Sequence, residues 1–372
     1  MTPQTMKAAR LHEIGGRFQV DEVPVPTVRP NDVLVKVDSA AIVQNLRNVI
    51  SVYSATRPHL PLPKLPAIFG LDAAGTVAAV GERVNEGIKV GDRVYVNPGL
   101  SCGACYACRC GDTPNCPAYT FMGYFGFGPR SQSQFDAYPY GGFSQFLTAP
   151  VGNLIRLPDN VSFEQACRFG YLGTAYSGLR KLDLRPGQTL LVNGGTGTLG
   201  VGAVLLGLAM GASRIFATGR DLSRLAKLKA IAPSRIETIA FGGASVASQI
   251  MEMTEGFGVD AMLEALAPNS PAESVMDAFN ALRRGGKAAN VGGVTETLPL
   301  LPSRLMTTQR SLIGSLWFTT QEGEDMASMA KAGTLDLGVF SHDTFSLDQI
   351  NEALDAIDGR AGGFTNIVIK HR

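Results

Sequence analysis

Thr189-Leu190-Leu191-Val192-Asn193-Gly194-Gly195-Thr196-Gly197-Thr198-Leu199-Gly200 is the stretch that decides the fold of this chain. Residues 189–192 read as a buried strand, 194–200 as a glycine-rich turn and 201–210 as an apolar helix. Gly195, Gly197 and Gly200 give G-x-G-x-x-G between strand and helix. In that setting the first glycine makes the tight turn, the second lets backbone approach a pyrophosphate, and the third lets helix pack on strand. The helix N-terminus then turns free N–H groups and a positive dipole end toward the phosphates. Thr196, Thr198 and Leu199 complete the expected contact surface. The motif alone would be weak in a chain with 43 glycines, and an ordinary turn is the alternative. Its place inside a strand–turn–helix–strand unit points to a doubly wound α/β sheet.

The next strand is read at residues 215–218. At its end an Asp or Glu would hold the ribose hydroxyls of NAD. Here Gly219-Arg220 follows, with Arg224 one turn on. A small residue leaves room for a 2′-phosphate and arginine can grip it as a charge-assisted fork. The sequence therefore predicts NADP(H) over NAD(H); the alternative is that Arg220 is a solvated surface charge. Gly292, after a strand expected at 287–291, completes the cofactor-binding set.

Cys102, Cys105, Cys108 and Cys116 stand in one short stretch, spaced C-x2-C-x2-C-x7-C. Four soft ligands on short spacers suit one structural zinc, and four thiolates leave no open position for substrate. Disulfides are the poorer reading, because neighbours three apart pair badly and a chain of this size needs no staples. Cys110 lies off the spacing and reads as a spectator; Cys167 reads as a core residue.

At 372 residues two domains are expected. A net charge of +1 without a basic or acidic block favours neither nucleic acid nor a membrane surface. No apolar h-region stands in residues 1–20, and the most apolar run, 201–210, is too short to span a bilayer. A cytoplasmic protein is the expectation. Residues 1–160 read as short strands and tight turns, with strands expected at 33–37, 75–80 and 93–96 and an irregular, aromatic loop at 117–140. Ser162 and Gln165 mark a capped helix start. Later strands are expected at 261–264, 287–291, 311–316 and 366–370, and an amphipathic helix at 346–357.

Taken together, these motifs resemble the medium-chain dehydrogenase/reductase superfamily, the alcohol dehydrogenase and quinone reductase group. The resemblance rests on Gly75-Thr76-Val77 leading to Val80-Gly81, Gly91-Asp92-Arg93-Val94, the cysteine lobe, Thr174-Ala175-Tyr176, the glycine loop and Gly363-Phe364-Thr365-Asn366-Ile367-Val368. It implies a GroES-like substrate domain (1–160, completed by 317–372) and a Rossmann domain (161–316), with the active site between them. It also implies a homodimer or homotetramer, with residues 311–316 as a pairing edge, and places Thr174 against the cofactor.

The departures from the family pattern carry the functional reading. The family's catalytic zinc is held by Cys, His and Cys at positions that here resemble Val43, Leu71 and Gly170, with Asp72 where a Glu follows the His. None of the first three can bind metal, so no catalytic zinc is expected. The segment 41–48 is similar instead to zinc-free quinone and enoyl reductases, which carry Asn-x-x-Asp; Asn45 matches, while Asn48 departs. Without a Lewis acid, a conjugated C=C–C=O or C=C–C=N⁺ is an easier hydride acceptor than a simple ketone. The expected substrate is a small hydrophobic enone, aldehyde, ketone or imine. Asn45 is the candidate oxyanion donor and Tyr53 the candidate acid; a loop asparagine and a packed aromatic are their structural alternatives. His59, Tyr171 and water are further proton sources or cleft groups. Trp317, Phe318 and the 117–140 loop are expected at the cleft. A metal-independent alcohol dehydrogenase or carbonyl reductase is the near alternative, and a non-catalytic NADPH-binding sensor the distant one.

Overall fold

The computed structural model describes residues 2–84, 87–357 and 362–371. The glycine-loop strand, Thr189–Asn193, sits inside a six-stranded sheet. Its order is Ile236–Ala240, Arg214–Gly219, Thr189–Asn193, Val259–Glu264, Leu282–Asn290, Ser311–Gly314, and every pair is parallel. From Thr189–Asn193 the chain winds outward on one side, then crosses to Val259–Glu264 on the other. Strand order reverses there, and parallel sheets open a ligand crevice at such a point.

The helix Thr198–Ala209 is apolar on every face because every face is covered, and residues 200–207 are all buried. The helix Phe169–Lys181 packs on one flank of it. The capping box at Ser162 forms as its sequence requires, the Ser162 side chain accepting from the Gln165 amide.

A second, mostly antiparallel sheet of seven strands is built around Asp32–Ala41. One part of that strand pairs with Phe146–Pro150, its far end pairs with Thr365–Lys370, and Asp72–Val80 runs along its other side. Thr365–Lys370 thus returns to this sheet from far along the sequence. A smaller three-stranded sheet joins Phe18–Pro24, Thr5–Leu11 and Ala67–Ile68.

Several local expectations are revised. Leu46–Thr56 forms a helix, which the sequence reading missed. The 117–140 stretch contains the short strand Thr120–Phe121 and the helix Ser131–Ala137. Residues 346–357 form a 3-10 turn, Leu347–Gln349, before the helix Ile350–Asp355; Leu347, Ile350, Leu354 and Ile357 are all buried. Among the described residues no helix is long and apolar enough to cross a membrane.

Candidate functional site

A cleft of about 1210 Å³ opens where the crevice of the parallel sheet faces the helix Leu46–Thr56. From the parallel sheet come Gly194, Thr196, Gly197, Thr198, Leu199, Gly219, Arg220, Arg224, Leu266 and Gly292. From the facing side come Gln44, Asn45, Asn48, Tyr53, Arg57 and Tyr171. Most of the residues singled out by sequence therefore meet in one cavity. Three of the cofactor set do not line it. Thr174 is buried in its helix, its hydroxyl donating to the Gly170 carbonyl at 2.8 Å.

Gly195 and Gly200 are the other two, and they act in packing. A Cβ on Gly200 would lie 2.1 Å from the Gly194 carbonyl oxygen, and one on Gly195 would lie 2.7 Å from the Ala217 Cβ. The tight turn assigned to Gly195 belongs to Gly194, whose φ of +87° is the left-handed value that glycine alone adopts freely. Of the aromatic residues expected at the cleft, Phe125 packs on Tyr53 with ring centres 5.6 Å apart, while others sit elsewhere. Phe121 and Trp317 rings pack 4.5 Å apart, and Trp317 lies 5.1 Å from Phe318, in a buried cluster behind the wall.

Asn45 and Tyr53 do come together, and the unexpected helix explains how. Asn45 is the residue before its first turn, and Tyr53 lies two turns on, facing back. Asn45 Nδ2 donates to the Tyr53 hydroxyl oxygen at 2.5 Å, and Asn48 Nδ2 donates to Asn45 Oδ1 at 3.0 Å. The Tyr53 oxygen is thus an acceptor from Asn45, which leaves its own proton to be donated elsewhere. The Arg57 guanidinium lies 5.2 Å from the Tyr53 ring centre. Tyr171 accepts from the Gln44 amide at 2.9 Å. Tyr124, buried beside Tyr171, Tyr53 and Asn45, is pushed well above the usual phenol range by burial. Gln44 and Arg57 carry no motif, and only the fold reveals them, whereas Tyr124 belongs to the aromatic 117–140 loop that the sequence placed at the cleft.

Val43 and Leu71 are buried, and Gly170 is hemmed in by Asp72. A Cβ at Gly170 would lie 2.2 Å from Asp72 Oδ1, so no larger side chain fits there without displacing that carboxyl. Asp72 accepts from the Tyr95 hydroxyl at 2.6 Å. Burial pushes its carboxyl up to about 7, against the hydrogen bonds from Tyr95 and the Gly170 backbone and the Arg168 charge. The folded chain therefore holds this proton more tightly than the unfolded chain does. Unfolding releases it between about pH 4 and 7, so rising pH across that window favours unfolding. Asp72→Asn should be close to neutral near pH 4, where both states keep the proton, and more stable than the wild type by roughly 1–4 kcal/mol at pH 8. Urea melts of both proteins at the two pH values measure this; a difference independent of pH would refute it.

The cysteine lobe forms a separate centre. The four Sγ atoms of Cys102, Cys105, Cys108 and Cys116 lie within 4.8 Å of one another. A tetrahedral zinc with bonds of about 2.3 Å sets its thiolates roughly 3.8 Å apart. The Cys102–Cys108 and Cys105–Cys108 separations are 4.0 and 3.5 Å. Cys116 Sγ also accepts the amides of Cys102 and Ala118, each at 3.3 Å, the outer-shell support that thiolate ligands use. The donor set fits one structural zinc. Cys110 is exposed beside it and Cys167 is buried in the core.

Comparison with known proteins agrees with this architecture. Residues 29–159 match the family described as "Alcohol dehydrogenase GroES-like domain", and residues 198–332 match "Zinc-binding dehydrogenase". The chain is 29% identical over 369 residues to sorbitol dehydrogenase of Bacillus subtilis (strain 168), covering 99% of this chain and 97% of that protein. It is 30% identical over 273 residues to L-threonine 3-dehydrogenase of Mesorhizobium japonicum, covering 73% and 72%. Among solved structures, an NAD-dependent alcohol dehydrogenase superposes with a TM-score of 0.81 at 26% identity over 98% of this chain and 99% of the other. The chain belongs to the medium-chain dehydrogenase/reductase superfamily of oxidoreductases, in its zinc-type alcohol dehydrogenase group.

Proposed function

We propose that this chain is an NADP(H)-dependent reductase acting on a small substrate with a conjugated C=C, C=O or C=N, and that it works without a catalytic zinc. One observation carries the reading: Val43, Leu71 and Gly170, which the family resemblance matches to the catalytic zinc ligands, offer no metal-binding side chain, and Asp72 fills the space at Gly170. NADPH, when bound, supplies the hydride. The residues do the rest. The glycine loop and the N-terminus of Thr198–Ala209 receive the phosphates. Tyr53, its oxygen held by Asn45, gives its proton to the enolate or alkoxide that hydride addition leaves, and is reprotonated from solvent.

The rim around Arg220 supports the choice of NADPH. Asp221 is the nearest acid on that rim, and its carboxylate is already committed. It accepts from the Ser223 and Arg224 amides at 2.9 and 3.2 Å and pairs with Arg224 Nε at 3.2 Å. Hydrogen bonds from Ser223 and the Arg224 amide hold it below the usual carboxylate range. Arg220 has no carboxylate partner among the described residues. Arg220→Ala should weaken NADPH binding about tenfold to a hundredfold and NADH binding less than threefold, as expected for a lost charge-assisted fork. Equal losses in a fluorescence titration would refute the assignment.

The sorbitol and threonine dehydrogenase relatives favour a second reading, a metal-independent alcohol dehydrogenase or carbonyl reductase. Product analysis from one enone separates the two: a saturated ketone supports the first reading and an allylic alcohol the second. If NADPH binds but no enone, quinone, aldehyde or imine consumes it, both fail and a binding protein remains. Metal analysis should give about one zinc per chain, lost on chelation together with order in the cysteine lobe; two per chain would contradict the empty catalytic position. We further propose pairing of two copies along Ser311–Gly314, an edge strand bonded on one side, beside exposed Leu301, Met306 and Leu316. Sedimentation would show a dimer or tetramer.

A further inference from the structure

Beneath the glycine loop runs a chain of buried polar groups that no step above uses. Asn193, Thr218 and Glu264 stand near the C-terminal ends of three adjacent parallel strands. The register brings them side by side: Asn193 is paired with Glu264, and Val192 with Ala217. All three are at most 1% exposed.

The Gly194 amide donates to Thr218 Oγ1 at 2.8 Å, and the Thr218 hydroxyl donates to Asn193 Oδ1 at 2.8 Å. Asn193 Nδ2 then donates to Glu264 Oε2 at 2.6 Å, with a longer contact to the Ser274 carbonyl at 3.4 Å. At the other carboxyl oxygen, Oε1, the Leu266 amide donates at 2.7 Å.

The direction of this chain is forced. A backbone N–H can only donate, so the Thr218 oxygen must accept. Its single proton goes to the Asn193 oxygen, which turns the Asn193 nitrogen toward Glu264. The Leu266 amide arrives at the other carboxyl oxygen, again as a donor. Glu264 must therefore accept at both oxygens, as a carboxylate does. Burial pushes this carboxyl up to about 7, and the hydrogen bonds from Asn193 and Leu266 pull the other way. A glutamine here would set an N–H against an N–H at one of the two ends, leaving a buried donor unmet.

Both ends of the chain open on the cleft. Gly194, with its positive φ, lines one wall, and Ala265 and Leu266 line the next. These are the loops that follow the two strands flanking the crevice.

We propose that Glu264 is a positioning residue for the dinucleotide: acting through Asn193 and Thr218 it fixes Gly194, and through the Leu266 amide it fixes the neighbouring loop, so that both walls are set before the coenzyme arrives. The proposal rests on the dinucleotide reading of the glycine loop.

A donor–acceptor swap tests it. Glu264→Gln and Asn193→Asp should each weaken NADPH binding at least tenfold by fluorescence titration. In coenzyme-free protein each should speed amide exchange at residues 194–197. The loss should fall on Kd and on KM for NADPH, with kcat at saturating coenzyme changing under threefold. The double variant should bind within threefold of wild type. In it the carboxylate introduced at position 193 would accept from Thr218 and from the side-chain amide introduced at position 264, whose oxygen still accepts from Leu266. Thr218→Val, which keeps the shape but leaves the Gly194 amide without an acceptor, should behave like the single variants. The proposal is overturned if the single variants bind NADPH within twofold of wild type. It is also overturned if the double variant fails to fold or binds no better than the weaker single, or if the loss falls equally on kcat. A wild-type protein that binds neither NADPH nor NADH would overturn the dinucleotide reading as well; normal wild-type binding with unaffected variants overturns this inference alone.

Discussion

Tyr53→Phe is expected to lower kcat by about 10²–10⁴-fold, the usual worth of a positioned general acid. The hydroxyl lies in the cleft, its oxygen engaged by Asn45 at 2.5 Å, and Asn45 is in turn oriented by Asn48 at 3.0 Å. Removing the phenol oxygen takes away the proton donor and leaves the ring in place against Phe125, 5.6 Å away. The fold and the coenzyme loop should be untouched, so NADPH affinity should stay within twofold. Steady-state kinetics on the substrate with the fastest turnover measure the effect. An unchanged kcat would mean that water delivers the proton and that Tyr53 only packs. Asn45→Ala should fall in the same direction with a smaller loss, because it frees the phenol to rotate rather than removing it.

Arg168→Met is expected to cost about 3–5 kcal/mol of stability, because it leaves three buried acceptors without their donor at roughly 1–3 kcal/mol each. Arg168 is 1% exposed and makes contacts that no neutral side chain reproduces. It donates to Asn366 Oδ1 at 2.6 Å, to the Thr198 carbonyl at 3.0 Å and to the Gly363 carbonyl. Its guanidinium also covers the Phe340 ring at 4.5 Å. One side chain thus joins the start of Phe169–Lys181, the first turn of the glycine-loop helix and the strand Thr365–Lys370. Methionine fills much of the volume but strands Asn366 and two buried carbonyls. Burial also leaves Asp72 dependent on the same positive charge. Urea denaturation at pH 7 measures the loss; a change below 1 kcal/mol would mean that water replaces these contacts.

Elements with a strong local signal were legible in the sequence. Arg93–Val96 is a strand over the residues expected, and the Ser162 box caps its helix. The parallel strands around the glycine loop follow the apolar runs. Leu46–Thr56 was not legible, because Val49, Ile50 and Val52 are β-branched and weakly helical in isolation. Its stability comes from burying Leu46, Val49 and Ile50, a tertiary effect. That one missed helix hid the Asn45–Tyr53 contact and the place of Arg57. The aromatic loop was legible only in part: Tyr124 and Phe125 back Tyr53, but Phe121, Phe125 and Phe127 also pack on one another, 5.0–5.6 Å apart. The Glu264 chain carries no motif at all, because three strands distant in sequence bring it together.

The strand Thr365–Lys370, which pairs with Asp32–Ala41, sets the order in which the molecule can be completed. A ribosome releases residues 365–370 long after residues 32–41. Until then one end of the central strand keeps its hydrogen-bonding edge open. The parallel sheet between them has all of its strands by Gly314 and can form first. Once residue 314 has left the ribosome, the parallel sheet can therefore pair its strands beside an unfinished sheet whose free edge is open to chaperones or to a second nascent chain.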